Sequence, residues 1–204
     1  MADSNFGVEK VVRTSFYKVH GVPIGRDGKL YTVELQTDFL DGGASKTQDE
    51  WAQFSKAGLS VGHDGYLSAP QIYGFAHVLR VNRDHPKAGS MAREITDFLR
   101  EKHRDRWLVT SSRVNYMPSE EDVVTHEYGL DGEHQIKATI LGPDEWISKT
   151  ANPQGYQALF ETDDDITEIN RDFNHLNRTD AYAWKVNPPR PTLKDTRVVS
   201  LGAV

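Results

Sequence analysis

One helical pattern followed by three strand patterns, between Ser90 and Leu141, constrains the fold more than any other stretch. SMAREITDFLREKH places Met91, Ile95, Phe98 and Leu99 at helical spacing. WLVTSSRVNY, DVVTHEYGL and HQIKATIL then alternate apolar and polar side chains with a period of two. The runs MPSEED and LDGE between them carry turn chemistry. This order gives an antiparallel β-meander over about 107–141.

The flanking segments read as follows. KVVRTSFYKV (10–19) and KLYTVELQTDF (29–39) are two antiparallel strands around the Pro and Gly residues of GVPIGRDG. Thr47-Gln48-Asp49-Glu50 is a capping box, opening a helix with Trp51, Phe54 and Ala57 on one face. A second helix starts near Ser68 and tolerates Pro70 in its first turn, with Ile72, Phe75, Ala76 and Leu79 as its stripe. GPDEWISKTANPQG reads as a loop, and GYQALFETDDD as a single helical turn. Asp165 caps a C-terminal helix at about 165–176, with Ile166, Ile169, Phe173 and Leu176 at helical spacing. AYAWKVN and TRVVSLG make a last hairpin around a proline-rich connection.

The expected class is α+β: the antiparallel meander with N- and C-terminal hairpins, packed against a helical segment at about 47–103 and the C-terminal helix. Strands from the two ends are expected to join one sheet, since a lone hairpin is marginal. Trp184, Val186, Val198 and Leu201 would then be core. One domain spans 1–204, with 44–104 as a candidate helical subdomain.

Composition removes several classes. The absence of cysteine excludes disulfides, thiolate metal sites and cysteine nucleophiles. MADSNFGVEK has no apolar h-region, and no run approaches ~18 apolar residues, so neither a secretory signal nor a membrane span is expected. A cytoplasmic location follows as the expectation. The net charge of −6 divides unevenly, with +3 over residues 80–106 and −7 over 107–204. An acidic chain with one basic belt is a poor general binder of nucleic acid. The GxSxG, P-loop and GxGxxG signatures are absent.

The candidate site comes from the meander. If Tyr116 lies opposite Val123 and Tyr128 opposite Gln135, Leu108, Val114, Tyr116, Val123, Ile136, Ala138 and Ile140 share an apolar face under helix 90–103. Ser111, Arg113, Asn115, His126, Tyr128, Gln135 and Lys137 share the other. Arg113, His126 and Lys137 then stand side by side, which like charges resist. An anion would relieve that repulsion, and these donors suit phosphate or carboxylate. The plainer account is a solvated polar face, common on antiparallel sheets.

The function expected is a soluble intracellular binding or interaction protein without catalysis, contacting an anionic small molecule or protein partner through Ser111, Arg113, His126, Tyr128 and Lys137. One alternative is a hydrolase or transferase for a phosphorylated small molecule, with His126 as acid/base between the Arg113 and Lys137 clamp. Another is a winged-helix-like DNA reader using Arg93, Arg100, Lys102, Arg104 and Arg106, with MPSEED as the wing. The acids of that wing would repel phosphate, which weighs against nucleic acid as a partner. No cofactor and no metal are expected. His126 and His134 would sit diagonally, ~10 Å apart along the strands. Glu161, Asp163, Asp164, Asp165, Glu168, Asp172 and His175 read as dipole-compensating residues and a solvated face rather than a cation site.

Overall fold

The computed structural model describes residues 6–11, 16–37, 44, 46–47, 50–51, 53–54, 56–57, 66–102, 107–117, 121–128, 131–140, 153–178 and 195–202. The fold is α+β with two antiparallel sheets. The first contains β1 (Gly7–Val11), β2 (Phe16–Pro23) and β3 (Leu30–Gln36), in that order. The second contains β4 (Trp107–Tyr116), β5 (Asp122–Glu127), β6 (Glu133–Ala138) and β7 (Asp195–Gly202), ordered β6-β5-β4-β7. The helices are α1 (Ala69–Val81), α2 (Gly89–Lys102), α3 (Pro153–Phe160) and α4 (Ile166–Asn177). Glu50, Trp51, Gln53, Phe54, Lys56 and Ala57 are also helical, and the expected capping box holds Thr47 against Glu50. No helix among the described residues is long and apolar enough to cross a membrane.

The helix shared by both sheets is α1. It packs on β2 of the first sheet and β4 of the second, and also on α3 and α4. Its start is local: the Ser68 side chain accepts from Gln71 N–H while the Gln71 side chain accepts from Ser68 N–H. The stripe Ile72, Phe75, Ala76 and Leu79 is buried, and so are Tyr73, Gly74 and Val78. A helix apolar nearly all round belongs inside, and each large apolar side chain contributes about 1.5–3 kcal/mol. Gly74 permits the closest approach. A Cβ there would lie 3.1 Å from the Pro23 carbonyl carbon and nearer still to its oxygen.

Several expectations need correction. Residues 10–19 are two strands rather than one, since β1 ends at Val11 and β2 begins at Phe16. β2 runs on through Pro23, with a bulge between His20 and Val22. The two ends do not share a sheet: β7 pairs with β4, while the N-terminal strands form a sheet of their own. Trp184 and Val186, and the side chains of Val198 and Leu201, lie outside the described residues. The expected loop and turn before the acidic run contain α3, which buries Tyr156, Leu159 and Phe160. The meander is not covered by α2, which packs on α1, α4 and β1; α1 and α3 cover it instead.

The meander register also differs. Asn115, not Tyr116, pairs with Val123, and Val114 pairs with Val124. Across the next pair, Val123 faces Lys137, Thr125 faces Gln135 and His126 faces His134. Asp122 accounts for this. Its buried carboxylate accepts from Met117 N–H at 3.2 Å and Ile140 N–H at 3.0 Å, pinning the ends of β4 and β6 to the start of β5. A one-residue slip exchanges the faces of a strand. Val124 therefore points to the core in place of Val123, and His126 and Tyr128 turn inward with it.

Candidate functional site

The proposed cationic trio is not assembled. His126 is fully buried on the helix side of the sheet. Its Nε2 faces the Ala158 carbonyl at 3.0 Å, so that nitrogen carries the hydrogen. Nδ1 then accepts from the Ser112 hydroxyl at 2.7 Å, and Ser112 Oγ in turn accepts from Ala69 N–H at 2.8 Å. This chain ties β4, β5, the start of α1 and the end of α3 together. Burial pushes the His126 pKa down, so the ring stays neutral.

Arg113 and Lys137 lie on the opposite face. Arg113 is ion-paired with both Glu127 and Glu133, so its charge is already answered. Ser111 is buried and its hydroxyl donates to the Glu127 carbonyl. Tyr66 lies close enough to Glu127 and Arg113 to feel both charges, and its phenol is pushed up to about 12, mainly by burial. The polar face is thus partly covered. Of the basic-belt residues, Arg93 bonds the Arg83 carbonyl and Asp84, and Arg100 donates to the His175 carbonyl at the end of α4. Lys102 lies over the Phe98 ring. Arg104 and Arg106 lie outside the described residues.

The groups that do converge surround the link between α3 and α4. The acids of this link each have a different partner. Glu161 accepts from the Tyr128 hydroxyl and is ion-paired with His134. Asp163 pairs with Arg26 at 3.0 Å, and Arg26 also reaches the Thr162 carbonyl. Asp164 Oδ2 accepts from the Tyr73 hydroxyl at 2.5 Å and from Thr162 Oγ1 at 2.9 Å. Asp165 caps α4 by accepting from Glu168 N–H at 2.8 Å. Asp163 and Asp165 are exposed, with Asp165 capping α4 as read, whereas Glu161 is buried against β5 and β6 and Asp164 is half-buried against Tyr73 of α1.

A cleft of about 130 Å3 opens beside this link, walled by Pro23, Gly25, Pro70, Tyr73, Gly74, His77, Phe160, Glu161, Thr162 and Asp164. Glu161 is the unusual residue. It is 6% exposed and adopts φ of 45°, a left-handed conformation that non-glycine residues rarely take. Such a conformation persists where surroundings over-determine it, often at functional sites. A side chain on Gly25, itself at φ of 71°, would begin 3.3 Å from the Glu161 carboxylate. Burial, then the bond to Asp164, raises the Tyr73 phenol; burial, then Glu161, raises Tyr128. Both hydroxyls stay protonated as donors to their carboxylates.

In the wall of the cleft, His77 Nδ1 lies 3.0 Å from Asp172, a fully buried carboxylate. The bond to Asp172 raises the His77 pKa against its partial burial. Arg80 bonds both Asp172 and Glu168. His77 and Tyr73 lie outside the apolar stripe expected for this helix. Their spacing of four on α1, matched by Glu168 and Asp172 on α4, is the signal that was available.

Comparison with protein-family models, curated proteins and solved structures finds no match.

Proposed function

We propose that the protein is a binding protein without catalysis of its own, and that its ligand seat is the cleft beside the α3–α4 link. The anionic ligand expected from sequence depended on a trio of cations that the observed register separates. The cleft favours the opposite sign. Its walls include two carboxylates, Glu161 and Asp164, together with the rings of Tyr73 and Phe160, whose centroids lie 5.7 Å apart. Carboxylate beside aromatic surface suits a protonated amine, which gains both a charged hydrogen bond and a cation–π contact.

The observation that carries this reading is Asp164. Both of its donors go to Oδ2, and nothing among the described residues donates to Oδ1. An incoming ammonium would find a wall carboxylate held in place with an accepting oxygen to spare. Size narrows the ligand. A cleft of about 130 Å3 holds the liquid volume of roughly four waters, below the ~300–1,000 Å3 of clefts for larger ligands. A short alkylammonium group fits that volume.

The test is an amide chemical-shift titration of the full chain with n-butylammonium chloride, set against sodium phosphate at equal ionic strength. The ammonium should move signals of Tyr73, His77 and residues 160–164. Shifts confined to phosphate, centred on Arg113 and Lys137, would reinstate the anion site on the sheet and end this proposal.

A further inference from the structure

We propose that His77, Glu168 and Asp172 form a binding site for a first-row divalent metal ion, with Arg80 as the cation that the ion displaces. The site adjoins the ammonium seat through His77, which lines the cleft, but its two acids, Glu168 and Asp172, are not among the cleft's lining residues. The three side chains come from two facing helices, His77 from α1 and the two acids from α4. Glu168 and Asp172 are four residues apart, which puts both carboxylates on one face of α4. One ligand atom from each of the three residues lies within 4.8 Å of the other two. Facing helices build metal sites from glutamate and histidine side chains in this way.

The distances suit coordination. His77 Nδ1 and Asp172 Oδ2 are 3.0 Å apart. Two ligands each about 2.1 Å from an ion and at right angles are about 3 Å apart. No separation among the three exceeds 4.8 Å, against about 4.2 Å for two ligands on opposite sides of one ion, so any closing required is less than an ångström for that arrangement. One imidazole nitrogen with two carboxylates suits zinc, cobalt or manganese, whereas magnesium prefers oxygen alone and keeps its waters.

Charge leads to the same place. Glu168 and Asp172 bring two negative charges together, and Asp172 is entirely buried. Two permanent positive charges stand against them: Arg80, which bonds both acids at once, and the more exposed Arg171, which pairs with the other oxygen of Glu168. A guanidinium thus stands where a doubly charged ion would match the acids in full. Arg80 sits in the last turn of α1, and its side chain is partly exposed, so it can swing outward. An ion pair serving only to strap α1 to α4 would use the same residues, and the experiment separates the two.

Calorimetric titration of the full chain with zinc or cobalt chloride should give a single site, with magnesium much weaker. Arg80→Gln removes the competitor and should tighten binding about tenfold or more; Glu168→Gln should weaken it by a similar factor. If Arg80→Gln does not fold, paramagnetic broadening of the unaltered protein by cobalt or manganese decides the matter. Broadening centred on His77, Glu168 and Asp172 supports the site. Absence of one-site uptake, affinity unchanged in Glu168→Gln, or broadening centred on another histidine overturns it.

Discussion

Replacing Gly74 with alanine tests the placement of α1 that creates the cleft. Two opposed effects set the sign. Alanine is better than glycine in a helix by about 1 kcal/mol, so an unconstrained Gly74 would gain stability on substitution. Here the new methyl would meet the Pro23 carbonyl, with the carbonyl carbon at 3.1 Å, the oxygen nearer, and Val22 Cγ1 at 3.5 Å. The carbonyl belongs to the backbone of β2, which is paired with β3 at Pro23 and Leu30, so it cannot rotate away cheaply. Helix and strand must separate, disturbing the contacts of Val22 and of buried α1 residues such as Tyr73. Overpacking of this kind costs about 1–3 kcal/mol and occasionally more, and a clash with backbone falls at the upper end. The net loss is then about 2 kcal/mol, or roughly 4–8 °C in melting temperature for a chain of this size. Urea unfolding and calorimetry measure it. A Gly74→Ala protein as stable as the original, or more so, would show that α1 does not lie against β2 at this point.

Other outcomes follow from the same contacts. Ser112→Ala leaves both Ala69 N–H and His126 Nδ1 without their buried partner and should cost about 1–3 kcal/mol in urea unfolding. His126 titrates below its unfolded value of ~6.5, so its contribution is present above that pH and is lost as the pH falls towards the lower folded value. Stability curves from pH 7 to 5 should therefore drop less steeply for His126→Gln than for the parent protein; equal slopes would mean that His126 is not buried neutral. Asp172→Ala leaves Arg80 and His77 without their shared buried anion and should cost about 3 kcal/mol or more by the same assay. Arg113→Ala should cost no more than about 1 kcal/mol, because its pairs with Glu127 and Glu133 are partly exposed, and a larger loss would contradict that picture.

The features legible in the sequence are those set by neighbours along the chain. The box at Thr47, the helix start near Ser68, the cap at Asp165 and the apolar stripes of α1 and α4 depend on residues three or four apart, and each forms as read. Strand register was not legible, because it is fixed by Asp122 reaching Met117 on one side and Ile140 on the other. That one carboxylate moved His126 from a supposed binding face into the core. The helix α3 was hidden by Pro153 and Gly155, residues that elsewhere break helices. The cleft was hidden for a different reason. Its groups lie on β2, α1 and the α3–α4 link, and nothing local indicates that Tyr73 will meet Asp164 or that His77 will meet Asp172. The acids from Glu161 to Asp165 were visible, but the separate partner of each was not.

The most direct measurement is the affinity of n-butylammonium for the parent chain and for Asp164→Asn, compared by calorimetry under identical salt. The substitution keeps the shape and an oxygen for the Tyr73 hydroxyl but removes the charge. A charged hydrogen bond is worth about 1.5–3 kcal/mol, so binding should weaken by at least roughly tenfold. Equal affinity in the two proteins would mean that no ammonium sits on Asp164, and the binding function assigned to this cleft would be wrong.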